Sequence, residues 1–199
     1  MKKFFILFFL PALFSFIHTN TLTDAERKFA IDHLKQTQAD LVAAVQGLSD
    51  VQLNFKPAPD RWSILECVQH IMLSSKSLWE SQQIAMMERN DSNWKASFPD
   101  DSVIKLLEDR THKAQAPEPL KPVHSPYKTL DKTLKVFNKD RDKLIDYVRT
   151  SRDDMRNHFI KAWLDVFDTY QWILIISAHT NRHTQQINEV KADPNFPKQ

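Results

Sequence analysis

The scarcity of glycine is the feature that most constrains the fold of this chain. Its 199 residues include a single glycine, Gly47, and ten prolines. Tight β-turns commonly need glycine, so a fold with many hairpins would require more of it. The length suits one domain with a sizeable core. We therefore expect an all-α domain of long helices joined by loops that contain proline and aspartate.

Four segments show the apolar period of a long amphipathic helix. The first two begin with capping-box sequences, in which Thr23 pairs with Glu26 and Ser63 pairs with Glu66. The four segments predict a four-helix bundle. The predicted helices cover about 23–47, 63–89, 129–150 and 168–192.

The connection between the second and third helices is long. It spans about 90–128, contains five prolines from Pro99 to Pro126, and has one short amphipathic helix at about 103–108. A connection of this length lets the third helix begin from either end of the bundle. We expect irregular structure at 49–61 and 151–166. Arg141, in the third apolar stripe, is expected to pack its stem while its charged head reaches water.

The first twenty residues form a separate unit. A basic start, Met1–Lys3, precedes an apolar run that is interrupted only by Pro11 and Ser15. Such a segment is typical of a secretory signal peptide and is short for a membrane span. We predict that residues 1–20 direct export and that 21–199 form the domain, with no transmembrane segment in the mature chain. A membrane tether made by the uncleaved segment is the alternative.

Charge and cysteine content narrow the partners. The formal net charge is +2, and the 27 basic and 25 acidic residues are spread evenly. No basic patch interleaved with aromatic residues stands out, so we expect no nucleic acid and an unknown small-molecule substrate. The single cysteine, Cys67, is expected to be a small core residue. The oligomeric state is open, with a homodimer as one alternative.

Two histidines near the end of the chain carry the strongest chemical signal. His179 and His183 are four apart, so on a helix both imidazoles lie on one face, one turn apart. The apolar pattern predicts that this face is buried, and buried imidazoles need partners. A helical H-x-x-x-H pair is a common two-ligand unit for zinc and related metals, which requires a third ligand from elsewhere. A purely structural role is the alternative.

His70 is a candidate for the third ligand. It lies one and a half turns into the second predicted helix, on a small, polar face that it shares with Glu66. That face could border a pocket between helices. The other histidines lie in the N-terminal segment, in connections or beside an apolar stripe: His18, His33, His112, His124 and His158.

The two histidine regions together resemble a known family. The segment WSILECVQH ends at His70, and the segment HTNRHTQQI begins at His179. This combination is similar to the DinB/YfiT superfamily, in particular to its DinB-like (DinB-2) branch, over nearly all of 23–197. The resemblance implies a four-helix bundle with unusual connectivity and a divalent metal held by His70, His179 and His183. Zinc or nickel is expected, since imidazoles suit both. The N-terminal segment departs from the family, whose better-known members act in the cytosol.

The resemblance also implies two reactions. One is metal-dependent hydrolysis, and the other is transfer or isomerisation that uses a low-molecular-weight thiol. Export disfavours the thiol reactions, because such thiols are kept mainly in the reducing cytosol. We therefore favour a hydrolase. A non-catalytic module that binds a metal or a small ligand is the alternative from another functional class.

Glu66 and Arg182 are further candidates for the site. Glu66 is the capping partner of Ser63 in the interpretation that we favour, and it could also orient His70 or act as a general base. Arg182 lies at the edge of the face that carries His179 and could clamp a substrate carboxylate or phosphate. A surface or interhelical salt bridge is the simpler interpretation of Arg182.

Overall fold

The computed structural model describes residues 21–89, 93–162 and 165–198, which contain six α-helices, two paired β-strands and two short 3-10 helices at Glu118–Leu120 and Pro122–His124. The predicted signal peptide at 1–20 lies outside the described residues. The helices are α1 (Asp24–Val45), α2 (Asp50–Asn54), α3 (Ile64–Met87), α4 (Asp100–Glu108), α5 (Leu130–Thr150) and α6 (Thr169–Lys191). The strands are β1 (Phe159–Ala162) and β2 (Asp165–Asp168).

The four long helices, α1, α3, α5 and α6, form the predicted bundle. Both α5 and α6 pack against α1 and against α3, which places α1 and α3 at opposite corners. The chain therefore crosses the bundle between α1 and α3, and the short helix α2 lies on this crossing. Helix α4, from the long connection, packs along α6. The all-α four-helix prediction is confirmed.

Three of the long helices begin close to the predicted residues because side chains cap their first turns. Thr23 with Glu26 starts α1, and Ser63 with Glu66 starts α3, each as a complete capping box. The carboxylate of Asp168 accepts a hydrogen bond from an N–H in the first turn of α6. These caps are local in sequence, which is why the pattern could predict them.

Two connections are more regular than the sequence predicted. Segment 49–61 contains α2, which begins with a capping box between Ser49 and Gln52. Segment 151–166 contains β1, which pairs antiparallel with β2 so that Phe159 faces Asp168. Both predictions of irregular structure were wrong. Elements of four or five residues are too short to establish a period, and no Asn-Gly or Asp-Gly turn marks the hairpin.

Arg141 is buried inside the bundle, so the prediction that its head reaches water was wrong. Its side chain donates hydrogen bonds to the Leu34 carbonyl and to the hydroxyls of Thr37 and Thr180. The guanidinium also lies over the ring of Phe137, 5.1 Å from its centroid. Burial lowers the pKa of Arg141 to about 9. Hydroxyls on α1 and α6 thus take the place of water, which the stripe of α5 alone could not show.

The apolar core extends along the length of the bundle in two main clusters. One joins the C-terminal half of α1, the start of α3 and the end of α6, and it includes the buried Cys67 as predicted. The other joins the N-terminal half of α1, the C-terminal half of α5 and the start of α6. Among the described residues, no helix has the length and apolarity that crossing a membrane requires.

Candidate metal centre

Three histidines meet between α3 and α6. His70 comes from the start of α3, and His179 and His183 come from successive turns of α6. One nitrogen from each ring lies within 4.8 Å of the others, and this is the one cluster of three potential metal ligands in the described ranges. The ring centroids are 4.5 to 5.2 Å apart. The structure thus brings together the three side chains that the sequence singled out.

The surroundings of the histidines are largely dry. His70 and His183 are 3% and 8% exposed, and His179 is half-buried, with its Nδ1 atom fully buried. The indole of Trp62 covers one side, with its ring centroid 4.8 Å from that of His70 and 6.1 Å from that of His183. Ser74, one turn along α3, places its hydroxyl 3.3 Å from His70 Nε2.

Hydrogen bonds orient two of the three rings. The Nδ1 atom of His70 lies 2.8 Å from the Leu120 carbonyl, which can only accept, so this nitrogen carries the hydrogen. The Nδ1 atom of His183 lies 2.9 Å from Gln186 Oε1. Both neutral rings are left with a bare Nε2. Metal-binding histidines commonly donate their other N–H to such oxygens. His179 differs, because its buried Nδ1 has no hydrogen-bond partner among the described residues.

The donor set fits a divalent metal ion. Two nitrogens bound to one tetrahedral zinc ion at about 2.0–2.1 Å are separated by about 3.3 Å. The Nε2 atoms of His179 and His183 are 3.2 Å apart. Three imidazoles are also a ligand set that leaves a coordination position open, which is typical of catalytic zinc sites.

Burial keeps the imidazoles neutral, which is the form that binds metals. It lowers the pKa of His70, although the hydrogen bond with the Leu120 carbonyl opposes the shift. It also lowers the pKa of His179, and the charges of His70 and Arg182 add to the effect. The pKa of His183 falls well below its ordinary value because of burial and the two neighbouring histidines. Metal binding at neutral pH therefore releases few protons from these rings.

Comparison with known proteins identifies the family. The sequence model of the DinB superfamily matches residues 33–187, a range that includes all three histidines. The chain belongs to the DinB superfamily. The protein YuaE of Bacillus subtilis (strain 168), named as uncharacterized, is 27% identical over 152 residues, which cover 74% of this chain and 88% of YuaE.

A solved structure supports the same fold. YfiT from Bacillus subtilis is described as "a probable metal-dependent hydrolase with an unusual four-helix bundle topology". It aligns with this DinB-superfamily chain with a TM-score of 0.62 at 15% sequence identity, covering 89% of this chain and 92% of YfiT. At this identity the likeness extends to the fold.

Glu66 is engaged in structural contacts. Its carboxylate accepts hydrogen bonds from the Ser63 N–H at 2.9 Å and from Lys56 Nζ at 2.7 Å. The capping interpretation is confirmed, and the role as an orienting group or general base stays a prediction.

The adjacent Cys67 is fully buried, and burial raises the pKa of its thiol to about 12. A thiol of that kind is inert as a nucleophile at neutral pH.

Arg182 binds backbone carbonyls rather than a charged side chain. Its guanidinium donates to the carbonyls of Leu107, Asp109 and His112, in the segment where α4 ends. The prediction of a salt bridge was wrong within the described residues. The last carbonyls of a helix lack intrahelical partners and carry partial negative charge, so they attract a cation. The role of Arg182 as a substrate clamp stays a prediction.

The long connection supplies the groups that the sequence did not reveal. It contributes the Leu120 carbonyl that orients His70 and the side chain of Arg110, which pairs with Glu189 on α6. A backbone carbonyl can come from any residue, and one arginine among many charged residues has no distinguishing pattern. The site of this DinB-superfamily chain therefore includes more of the connection than its sequence suggests.

Proposed function

We propose that the chain is a metal-dependent hydrolase that holds one divalent ion, zinc or nickel, through His70, His179 and His183. The convergence of three neutral imidazoles from α3 and α6 is the observation that carries the proposal. Three protein nitrogens leave a position for water or substrate. Membership of the DinB superfamily and the description of YfiT as a probable metal-dependent hydrolase support it. The substrate is an unknown small molecule.

In this proposal, the side chains of the protein bind and position the metal ion, and the ion itself supplies the chemistry. When bound, the ion supplies Lewis-acid chemistry, which polarises a carbonyl or phosphoryl oxygen and makes water more acidic. The Leu120 carbonyl and Gln186 fix the rings of His70 and His183. Trp62 shields one side of these rings from solvent. The substrate therefore approaches from a side that Trp62 does not cover.

A non-catalytic module that binds a metal or a small ligand is the second candidate. The contacts of Glu66 favour it, because both carboxylate oxygens are engaged by Ser63 and Lys56. For Glu66 to act as a base, the ion pair with Lys56 must open. If no substrate induces that opening, Glu66 is not available to the centre as a base.

Turnover on simple substrates tests the proposal. The domain loaded with zinc or nickel should hydrolyse an ester or an amide with saturable kinetics. Chelation should abolish this activity and readdition of the metal should restore it, because in this proposal the bound ion supplies the acidity that activates water. The measurement is initial rate against substrate concentration for esters, amides and thiol conjugates.

The other outcomes of this assay separate the alternatives. Turnover that appears only with an added low-molecular-weight thiol would favour transfer or isomerisation chemistry. Stoichiometric metal without turnover on any class would favour the binding module. His179→Ala serves as the negative control, since contaminating hydrolases would act equally in both preparations.

We also propose that the chain is exported, on the basis of the basic start and the apolar run within 1–20. A full-length fusion to a reporter that is active only in the periplasm should be active, and deletion of 1–20 should abolish the activity. Leu7→Arg, which places a charge in the apolar run, should have the same effect. Cytosolic retention of the full-length fusion would contradict export, and an uncleaved product in the membrane fraction would show the tether instead.

A further inference from the structure

We infer that Gln186 and Arg110 are positioning residues for the metal centre. Together they select the form of neutral His183 that carries its hydrogen on Nδ1 and turns a bare Nε2 toward His70 and His179. The inference rests on the proposed metal-binding function. It concerns the state of His183 in the chain itself, so it can be tested before any metal is added.

Arg110 sets the direction of a chain of hydrogen bonds. Its Nε and Nη2 donate to the Glu189 carboxylate at 3.0 and 2.7 Å, which fixes the plane of the guanidinium. Its Nη1 then faces the side-chain amide of Gln186, 3.5 Å from Oε1. A guanidinium has donors and no acceptor, so the amide turns its oxygen, and not its NH2 group, toward Arg110.

Gln186 in turn determines which nitrogen of His183 carries the hydrogen. The same oxygen lies 2.9 Å from His183 Nδ1. Because an amide oxygen can only accept, Nδ1 must donate, and in a neutral imidazole the other nitrogen is then bare. That nitrogen, Nε2, is the atom 3.2 Å from His179 Nε2. Without Gln186, either nitrogen of His183 could carry the hydrogen, and one of the two forms cannot bind a metal through Nε2.

The segment that carries Arg110 is held in place from the opposite direction. Arg182 of α6 donates to the carbonyls of Leu107, Asp109 and His112, on both sides of Arg110. Arg110 in turn donates hydrogen bonds to side chains of α6. Each arginine therefore links α6 to the segment that follows α4. These links hold the backbone at Arg110 in place, although Arg110 lies outside regular secondary structure.

The first test is the tautomer of His183 in the metal-free protein. Two-bond 1H–15N spectra of the histidine rings distinguish Nδ1–H from Nε2–H, and the His183 signals are assigned by their loss in His183→Ala. The wild type should show Nδ1–H alone. Gln186→Leu should show a mixture or the opposite form, whereas Gln186→Glu keeps an acceptor and should restore Nδ1–H. Arg110→Met should give a partial mixture, because the amide can then present either end.

The matched control is Gln185→Leu on the neighbouring position of α6. Gln185 is also half-buried and donates to the Glu108 carbonyl at 3.2 Å, but within the described part of the chain it has no hydrogen bond to a histidine ring. It should leave the His183 tautomer unchanged. A general loosening of the segment after α4 would affect the Gln185 and Gln186 variants alike. Wild-type tautomer in Gln186→Leu, or the same change in Gln185→Leu, would overturn the inference.

The second test is zinc affinity by competition with a chromophoric chelator. Loss of a partner that orients a metal ligand typically weakens binding by about 10–100-fold, which we expect for Gln186→Leu and not for Gln185→Leu or Gln186→Glu. Equal affinity in Gln186→Leu and Gln185→Leu would contradict the positioning role. If the wild type bound neither zinc nor nickel, the proposed function would fail, but the His183 tautomer would still decide this inference.

Discussion

Replacing His179 with alanine should abolish tight zinc binding. Its Nε2 is 3.2 Å from that of His183, so the two nitrogens are close enough to bind the same ion. Removing a ligand should weaken binding by more than the roughly 100-fold that loss of an orienting partner can cost. His70→Ala and His183→Ala should have effects of similar size. Metal content by mass spectrometry and competition titration of zinc measure the result.

His33→Ala is the matched control for this series. His33 is also a half-buried histidine of the bundle, but its Nδ1 lies 2.7 Å from the Ser177 hydroxyl and its Nε2 faces Glu108. It lies outside the cluster, so its replacement should leave zinc affinity unchanged. Wild-type metal content in all three variants of the cluster would show that the assignment is wrong.

The ligand variants and the metal-free protein should remain helical. A structural zinc contributes folding free energy outright, and chelation then unfolds the domain. Here the apolar core extends along all four long helices, and most of it lies away from the histidines. Cooperative thermal transitions followed by circular dichroism should therefore persist in each variant. Loss of helicity on chelation would make the centre structural and would remove the main argument for an open, catalytic site.

The features that the sequence predicted are those that depend on local spacing. The capping boxes at Thr23 and Ser63 join residues three apart, and the pair His179 and His183 joins residues one helical turn apart. The apolar period likewise predicted the four long helices, with ends that lie within a few residues of the observed ones. The polar face of His70 made it a candidate for the third ligand, but only the family resemblance joined it to the pair, since no local rule connects residues more than a hundred positions apart.

The features that the sequence missed depend on which elements become neighbours. The sequence predicted that the charged head of Arg141 reaches water, yet Thr37 on α1 and Thr180 on α6 bind its guanidinium inside the bundle. Arg182 was expected to pair with a carboxylate, yet it meets the end of α4. In each case the partner comes from an element 39 or more positions away in the chain. Helical period shows which face is apolar, but it does not show which polar groups face it.

Arg156 is a further example of a cluster formed by residues from several elements. Its guanidinium donates to Glu26 in the first turn of α1, to Asp100 at the start of α4 and to Asp168 before α6, at 2.6 to 3.0 Å. It also lies over the ring of Tyr170, 4.1 Å from the centroid. The beginnings of three helices thus converge on one cation. Each carboxylate there also favours its own helix, because helix N-termini attract negative charge.

Arg156→Met should lower the free energy of unfolding by about 3 kcal/mol. Removing one partner of a buried ion pair typically costs about 3–5 kcal/mol, because the opposite charges remain without compensation. Three carboxylates would remain here, but the Arg156 side chain is 28% exposed, so water screens part of the cost. Urea unfolding measures the change. Arg149→Met, which removes an exposed pair with Asp146, is the control and should cost at most about 1 kcal/mol.

The cost of Arg156→Met should shrink in acid. Burial tends to raise the pKa of Glu26 and of Asp100, but hydrogen bonds, including those from Arg156, outweigh it and lower both pKa values. Carboxyls with a lowered pKa add stability above their unfolded values, and this stability is lost as the pH falls through the folded values. Asp168 contributes with the opposite sign, because burial leaves its pKa raised despite Arg156. Without Arg156 all three pKa values rise, so the two proteins should differ most near neutral pH and converge below about pH 4. A difference that stayed constant from pH 7 to pH 3 would show that Arg156 acts through its contact with the Tyr170 ring rather than through the three carboxylates.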